Sequence, residues 1–274
     1  MAMREAVDFQ AECDSIAALL GNRDEAVFTT ITLFKGWTID DVIGHLHLWN
    51  VAALATLESR EAFAAFIGGI TRQFRAGKSH IEAQRLWLDE TRNGIRGRAL
   101  FDDWCSFYPK LAAAYAEADP QARVAWAGPD MSTQSKIIAR QMETWAHGQA
   151  LFDALGEDRI EGDRIRNIAH LGVTTYGWTF RNRKVEPPSP KPYVRLTAPS
   201  GAVWEWNEPQ AGNAVTGSAV DFARIVTQTR NVGDTVIQTI GDTAARWMAV
   251  AQCFAGGAEN PPAKGQRQKA GAND

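Results

Sequence analysis

Residues 133 to 156 read TQSKIIARQMETWAHGQALFDALG. Ser132 or Thr133 stands in front as a side-chain cap, and Gly156 closes the run, so the pattern predicts one long helix over about 133–155. Glu143 and His147 are four residues apart in it, which puts a carboxylate and an imidazole on one face, one turn apart. Arg140, Ala150, Leu151 and Ala154 complete that face, and Arg140 stands one turn before Glu143.

Working outward toward the N-terminus, the chain stays helical. Residues 5–20 carry apolar positions at Val7, Phe9, Cys13, Ile16, Leu19 and Leu20. An irregular stretch with room for a short helical turn follows. Thr38, with Asp41 three residues on, marks a helix start for a run that continues to about Leu57. Residues 61–76 and 80–92 are two further helical stretches, and 98–117 a third, in which Pro109 predicts a bend or a fresh start. The segment DPQARVAWAGPDMS (119–132), with Pro120, Gly128 and Pro129, reads as a loop. Residues 1–155 are therefore expected to form a helical bundle with four main helices.

Past residue 160 the pattern changes. A short helix around Ile165–Thr174 leads into EPPSPKP, and PYVRLTAPSGAVWEWN alternates around Pro199-Ser200-Gly201 as a hairpin does. Residues 219–230 read as an amphipathic helix, DTVIQTIGD as a short strand, and AARWMAVAQCFAG as a last helix. This predicts a smaller α+β domain over 160–255. Residues 256–274, rich in Gly, Pro, Lys and Gln, read as a disordered tail that includes the basic cluster Lys264–Lys269.

Composition bounds the function. The chain has 274 residues, 45% of them hydrophobic, enough for a proper core. A net charge of −3 argues against a nucleic-acid partner or an anionic membrane surface. Cys13, Cys105 and Cys253 form no CxxC pattern, so neither a disulfide framework nor a zinc finger is indicated. The N-terminus, with Glu5, Asp8 and Glu12, is not a signal peptide, and no stretch is apolar enough to span a membrane. A cytoplasmic location is the expectation.

Five histidines are present: His45, His47, His80, His147 and His170. His45 shares its helix with Val42, Leu46, Trp49 and Ala52, and a histidine on such a stripe needs a partner for its buried nitrogen. In an antiparallel bundle it can meet Glu143 and His147. Three protein ligands with an open fourth position is the arrangement of catalytic zinc. His47, two residues on, points to the other side of the helix. On spacing alone, a surface ion pair or a satisfied core histidine is the stronger account of these residues, since a Glu and a His four apart arise often by chance. Trp49, Trp104 and Trp145 are read as core or cavity lining, and Arg224 and Arg230 as surface residues or anion contacts.

The segments Gly36-Trp37-Thr38-Ile39-Asp40-Asp41-Val42-Ile43-Gly44-His45-Leu46 and Arg140-Gln141-Met142-Glu143-Thr144-Trp145-Ala146-His147-Gly148-Gln149 resemble the signatures of the DinB-like metal-binding bundles. The nearest named branch is the mycothiol-dependent maleylpyruvate isomerase family. An uncharacterised actinobacterial-type subgroup is closer still, with Gly128-Pro129, Met131-Ser132, Ile168–Val173, Leu196–Gly201 and Val215-Thr216-Gly217. The resemblance implies an up-and-down four-helix bundle followed by an α+β domain. It also implies one divalent ion, commonly zinc, on His45, Glu143 and His147. Many relatives carry an acid where this chain has Ala150, so the substrate does not transfer.

The resemblance thus leads to an expected metal-dependent enzyme for a small-molecule substrate, an organic acid or electrophile. It would act as an isomerase or transferase with mycothiol or another low-molecular-weight thiol as cofactor, and with Arg140 and His170 as catalytic candidates. The alternatives are a non-catalytic metal-binding or ligand-sensing protein, or a hydrolase or cyclase of a natural-product intermediate. The oligomeric state, monomer or homodimer, is left open.

Overall fold

The computed structural model describes residues 2–126, 128 and 130–271, and it divides into two compact units, Met1–Ala154 and Leu155–Asp274. The first is largely helical. Its elements are α1 (Arg4–Leu20), a 3-10 turn (Glu25–Thr29), α2 (Ile39–Glu58), α3 (Arg60–Arg75), α4 (His80–Thr91), α5 (Gly97–Glu117), the two-residue strands β1 (Arg123–Val124) and β2 (Met131–Ser132), and α6 (Thr133–Leu155).

The helix that carries His45 is fixed at its start. Thr38 Oγ1 accepts from the Asp41 backbone N–H (3.1 Å), and Asp41 Oδ2 accepts in return from Thr38 N (3.1 Å), a complete capping box. Arg85 of α4 holds the Asp41 carboxylate through Nε and Nη2 at 2.9–3.1 Å, and Gln84 donates to the Asp41 carbonyl at 2.7 Å. The N-terminus of α2 is thus tied to α4 as well as to its own cap. The interior of the unit contains Phe9, Cys13, Ile16 and Leu20 of α1, Val42 and Leu46 of α2, Trp104 and Tyr115 of α5, and Ile137 and Trp145 of α6, all fully buried. Trp104 and Trp145 are therefore core residues.

Two local expectations need correction. α5 runs unbroken through Pro109, which interrupts one hydrogen bond of the ladder without restarting the helix. The segment after α5 is not wholly irregular, because Arg123–Val124 pairs antiparallel with Met131–Ser132. Pro129 of that segment lies outside the described residues. Ser132 caps α6, accepting from Ser135 N at 3.1 Å, while the Thr133 hydroxyl turns back to the Asp119 carbonyl.

The second unit is α+β: a 3-10 turn (Asp163–Ile165), α7 (Arg166–Thr174), α8 (Tyr176–Arg181), β3 (Tyr193–Thr197), β4 (Val203–Trp206), β5 (Ala214–Ser218), α9 (Ala219–Val226), β6 (Gln238–Ile240) and α10 (Asp242–Val250). Its sheet has the order β4-β3-β5-β6, with β3 antiparallel to β4, parallel to β5, and β5 antiparallel to β6. Val194, Leu196 and Val215 supply its buried face, as strand alternation requires. α7 lies close against α9: a Cβ on Gly172 would stand 2.8 Å from Val226 Cγ2 and 3.0 Å from Phe222 Cε1.

The sequence pattern predicts neither β5 nor α8. α9 ends at Val226 rather than 230, because Thr227 Oγ1 returns to the Ala223 carbonyl (2.7 Å) and Gln228 takes a left-handed φ of 56°. α10 ends at Val250. The tail also departs from expectation. Gln228 Nε2 donates to the Glu259 carbonyl (2.9 Å), Asn231 to that of Pro262 (2.8 Å), and Arg267 to that of Gln228 (2.8 Å), while Lys269 pairs with Asp158 (2.7 Å). Hydrogen bonds to distant residues hold much of 256–269, where Pro262 alone is buried, which is why composition alone misjudges the stretch. Residues 272–274 lie outside the described set. Among the described residues no helix is long and apolar enough to cross a membrane.

Candidate metal centre

Glu143 and His147 project from one face of α6, and α2 brings His45 to them. Glu143 Oε2 stands 3.3 Å from His147 Nε2 and 3.6 Å from His45 Nε2. One donor atom from each of the three residues falls within 4.8 Å of the other two. The donors of a tetrahedral ion with bonds of about 2.0–2.1 Å stand about 3.3 Å apart, a spacing that the two contacts to Glu143 approach, so the donor set suits one ion. The longer contact is too long for a hydrogen bond.

The electrostatics suit ligation. Burial pushes the His45 imidazole down to about 4, and the neighbouring His147 adds to this against the opposing pull of Glu143. At neutral pH its ring nitrogen therefore keeps a free lone pair. Burial would raise the Glu143 carboxyl, but the two imidazoles outweigh it and hold the group well below the usual carboxylate range. The side chains of His45, Glu143 and His147 remain 15%, 28% and 11% exposed, so the group is sheltered but reachable.

Aromatic rings frame the two imidazoles. Trp37 lies parallel to His147 (2°, centroids 6.1 Å), and Phe34 meets the same ring edge-on at 4.8 Å. Trp37 also packs on His45 at 5.4 Å, with Trp49 beyond at 6.3 Å. The turn that presents Phe34 and Trp37 is closed by an Ile31–Thr38 bridge, with Lys35 and Gly36 at φ 54° and 69°. Among the described residues the buried Nδ1 of His147 has no hydrogen-bond partner, so ring packing and the Glu143 contact on Nε2 set its orientation.

Arg140 is no surface arginine. It is 2% exposed, and its guanidinium donates to Asn50 Oδ1 (3.0 and 3.3 Å) and the Leu46 carbonyl (3.3 Å). It thereby ties α6 to the middle of α2, one turn past His45, and puts a positive charge near Glu143. His47 takes the opposite direction. It is fully buried, with Nε2 2.9 Å from Asp103 Oδ2 and its ring against Trp87 and Phe107. His170 belongs to the second unit, where it is exposed and its Nδ1 accepts from Trp206 Nε1 at 3.2 Å. Arg224 pairs with Asp221 at 3.0 Å.

Sequence reasoning misses Asn50, Phe34, Trp37 and Lys136. Trp37 lies inside the family-like segment 36–46 but gives no sign of a role, and Asn50 follows His45 at a spacing that carries no signal without Arg140 opposite it. Lys136 lies one turn before Arg140, fully buried with its amine against Trp126.

The family model for the mycothiol maleylpyruvate isomerase N-terminal domain matches residues 9–152. Two uncharacterized proteins from strains of Mycobacterium tuberculosis are each 36% identical over 259 residues, covering 94% of this chain and 96% of theirs. The crystal structure of the mycothiol-dependent maleylpyruvate isomerase has a similar fold, with a TM-score of 0.51 at 17% identity over 88% of this chain and 92% of that one. The bundle, the matched residues and the full-length relatives agree: the chain belongs to the mycothiol maleylpyruvate isomerase N-terminal domain family.

Proposed function

We propose that the protein is a divalent-metal-dependent enzyme for a small organic acid or electrophile. It works as an isomerase or transferase that recruits a low-molecular-weight thiol such as mycothiol. The observation that carries this is the convergence of three donors, two imidazoles and a carboxylate, within 4.8 Å. His45, Glu143 and His147 would hold the ion, and their nitrogen and oxygen donors suit zinc. Such an ion supplies an open coordination position at which water, a thiol or a substrate oxygen is polarised.

The remaining roles fall to the chain's own residues. Phe34, Trp37 and Trp49 keep bulk water from the ligand rings, which strengthens electrostatic interactions there. Arg140 is a positioning residue: anchored by Asn50, it keeps α6 in register with α2 and favours the ionised form of Glu143. The thiol must come from outside, because burial raises the Cys13 thiol well above its ordinary value and pushes that of Cys105 up to about 11. The name of the solved isomerase of the same fold lends support to the thiol reading.

The test is turnover of electrophilic acids by zinc-loaded protein, with and without a small thiol, beside Glu143→Gln. Activity that requires the ion and the thiol, and is lost in the variant, is expected. Turnover unchanged after complete metal removal refutes the proposal, and inactivity across the panel with tight ligand binding favours a sensor.

A further inference from the structure

The second unit gathers four side chains, Arg166, His170, Trp204 and Trp206, at one place on its surface. Arg166 and His170 are four residues apart on α7, so they share a face one turn apart, and both are exposed. Trp204 and Trp206 reach them from β4, on the side of the strand opposite Val203 and Glu205. The contacts close a circuit. The Arg166 guanidinium stands 6.0 Å from the centre of the Trp204 ring, Trp204 meets Trp206 edge-on at 6.4 Å, and Trp206 Nε1 donates to His170 Nδ1 at 3.2 Å.

The bond from Trp206 settles what His170 presents. An indole N–H only donates, so Nδ1 is the bare nitrogen and the ring proton sits on Nε2, directed away from the indole. Burial, and after it the charge of Arg166, lowers the imidazole below its ordinary value, so the ring is neutral at neutral pH. The guanidinium beside it has no carboxylate partner among the described residues. Asp163, three residues earlier, is taken by the N–H and hydroxyl of Ser200 at 3.0 and 2.7 Å, and Glu205 is held by Tyr193 and Arg195 on the other face of the sheet. Two donors thus stand together on an open helix face, one charged and forked, the other neutral and fixed in direction. That pair matches the oxygen atoms of a single oxyanion. The half-buried Trp206 ring next to them offers an apolar surface.

We propose that Arg166, His170 and Trp206 form an oxyanion-binding patch for a small acid. Its carboxylate or phosphate accepts hydrogen bonds from the Arg166 guanidinium and His170 Nε2, and its carbon skeleton lies against the Trp206 ring. All three side chains are reached directly from solvent. The patch is a property of the second unit alone and does not depend on the proposed ion.

The experiment is a proton–nitrogen NMR titration of the full chain with succinate, with inorganic phosphate and with the neutral diamide of succinate, at an ionic strength held constant with chloride. The Trp206 indole signal, identified by its loss in Trp206→Phe, is the probe. Succinate or phosphate is expected to shift it saturably and the diamide is not, and the tighter of the two acids tells carboxylate from phosphate. Arg166→Gln leaves the Trp206–His170 bond in place, and its remaining resonances verify its fold. It is expected to raise Kd roughly tenfold or more. The ring nitrogens of His170 are expected to carry a proton on Nε2 and none on Nδ1. No saturable shift with either acid, a Kd unchanged in Arg166→Gln, an equal response to the diamide, or a proton on Nδ1 overturns the proposal.

Discussion

Replacing Asp41 by alanine tests how α2 is set in place. The carboxylate is 5% exposed and accepts from Thr38 N, Thr38 Oγ1, and Arg85 Nε and Nη2, all between 2.9 and 3.1 Å. Asp41→Ala removes half of the capping box, for which about 1 kcal/mol is typical. It also removes the bond to Arg85, which contributes at most about 1 kcal/mol because that side chain is 52% exposed. The combined loss is about 2 kcal/mol, or a fall in Tm of about 4–8 °C for a unit of this size. Asp41→Asn keeps an acceptor for Thr38 and gives up only the charge, so less than about 1 kcal/mol should be lost. Urea titration of metal-free protein, followed by far-UV circular dichroism, reads both. Because Trp37 lies just before the cap and His45 one turn after Asp41, zinc affinity should weaken with Asp41→Ala as well. An alanine variant as stable as wild type, or an asparagine variant as damaged as the alanine one, would show that the cap does not fix this helix.

Three further outcomes are expected. His45→Ala, Glu143→Gln and His147→Ala should each lower zinc content sharply by elemental analysis while His47→Ala retains it; the reverse pattern for the two histidines of α2 would reassign the ligand. Gly172→Ala gains about 1 kcal/mol of helix propensity but drives a methyl into Val226 and Phe222, at a cost of about 1–3 kcal/mol. Its urea midpoint should therefore fall, and a rise would mean α7 and α9 can move apart at little cost. Cys13 and Cys105, their thiols held above the ordinary range by burial, should react with iodoacetamide at pH 8 far more slowly in the native protein than after unfolding. Equal rates by mass mapping would contradict that burial.

The long elements are legible in the sequence because their signals are local: the cap at Thr38 and Asp41, the helical period through Glu143 and His147, and the turn between β3 and β4. β5 is not, since Ala214–Ser218 is short and gains its place only by pairing with β3 and β6. The tail escapes a compositional reading for a related reason, as its partners lie far off in sequence. In the candidate site, Glu143 and His147 announce each other at one helical turn, while His45 needs the family resemblance to join them. Lys136 and Asn50 give no sign. A lysine in a sequence reads as surface, and only three-dimensional burial reveals that this one has lost its solvent.

Residues 45 and 143 are about a hundred positions apart in the chain, so an ion gripped by His45, Glu143 and His147 would act as a covalent staple does, closing a very long loop. Two of the three attachments sit on one rigid helix and are already side by side before α2 arrives. Capture would then proceed in order, a loose two-point hold on α6 followed by a third bond that locks α2 against it. Removing the ion would leave each helix intact and release their mutual anchorage, so a chelated sample should loosen between helices before it melts within them.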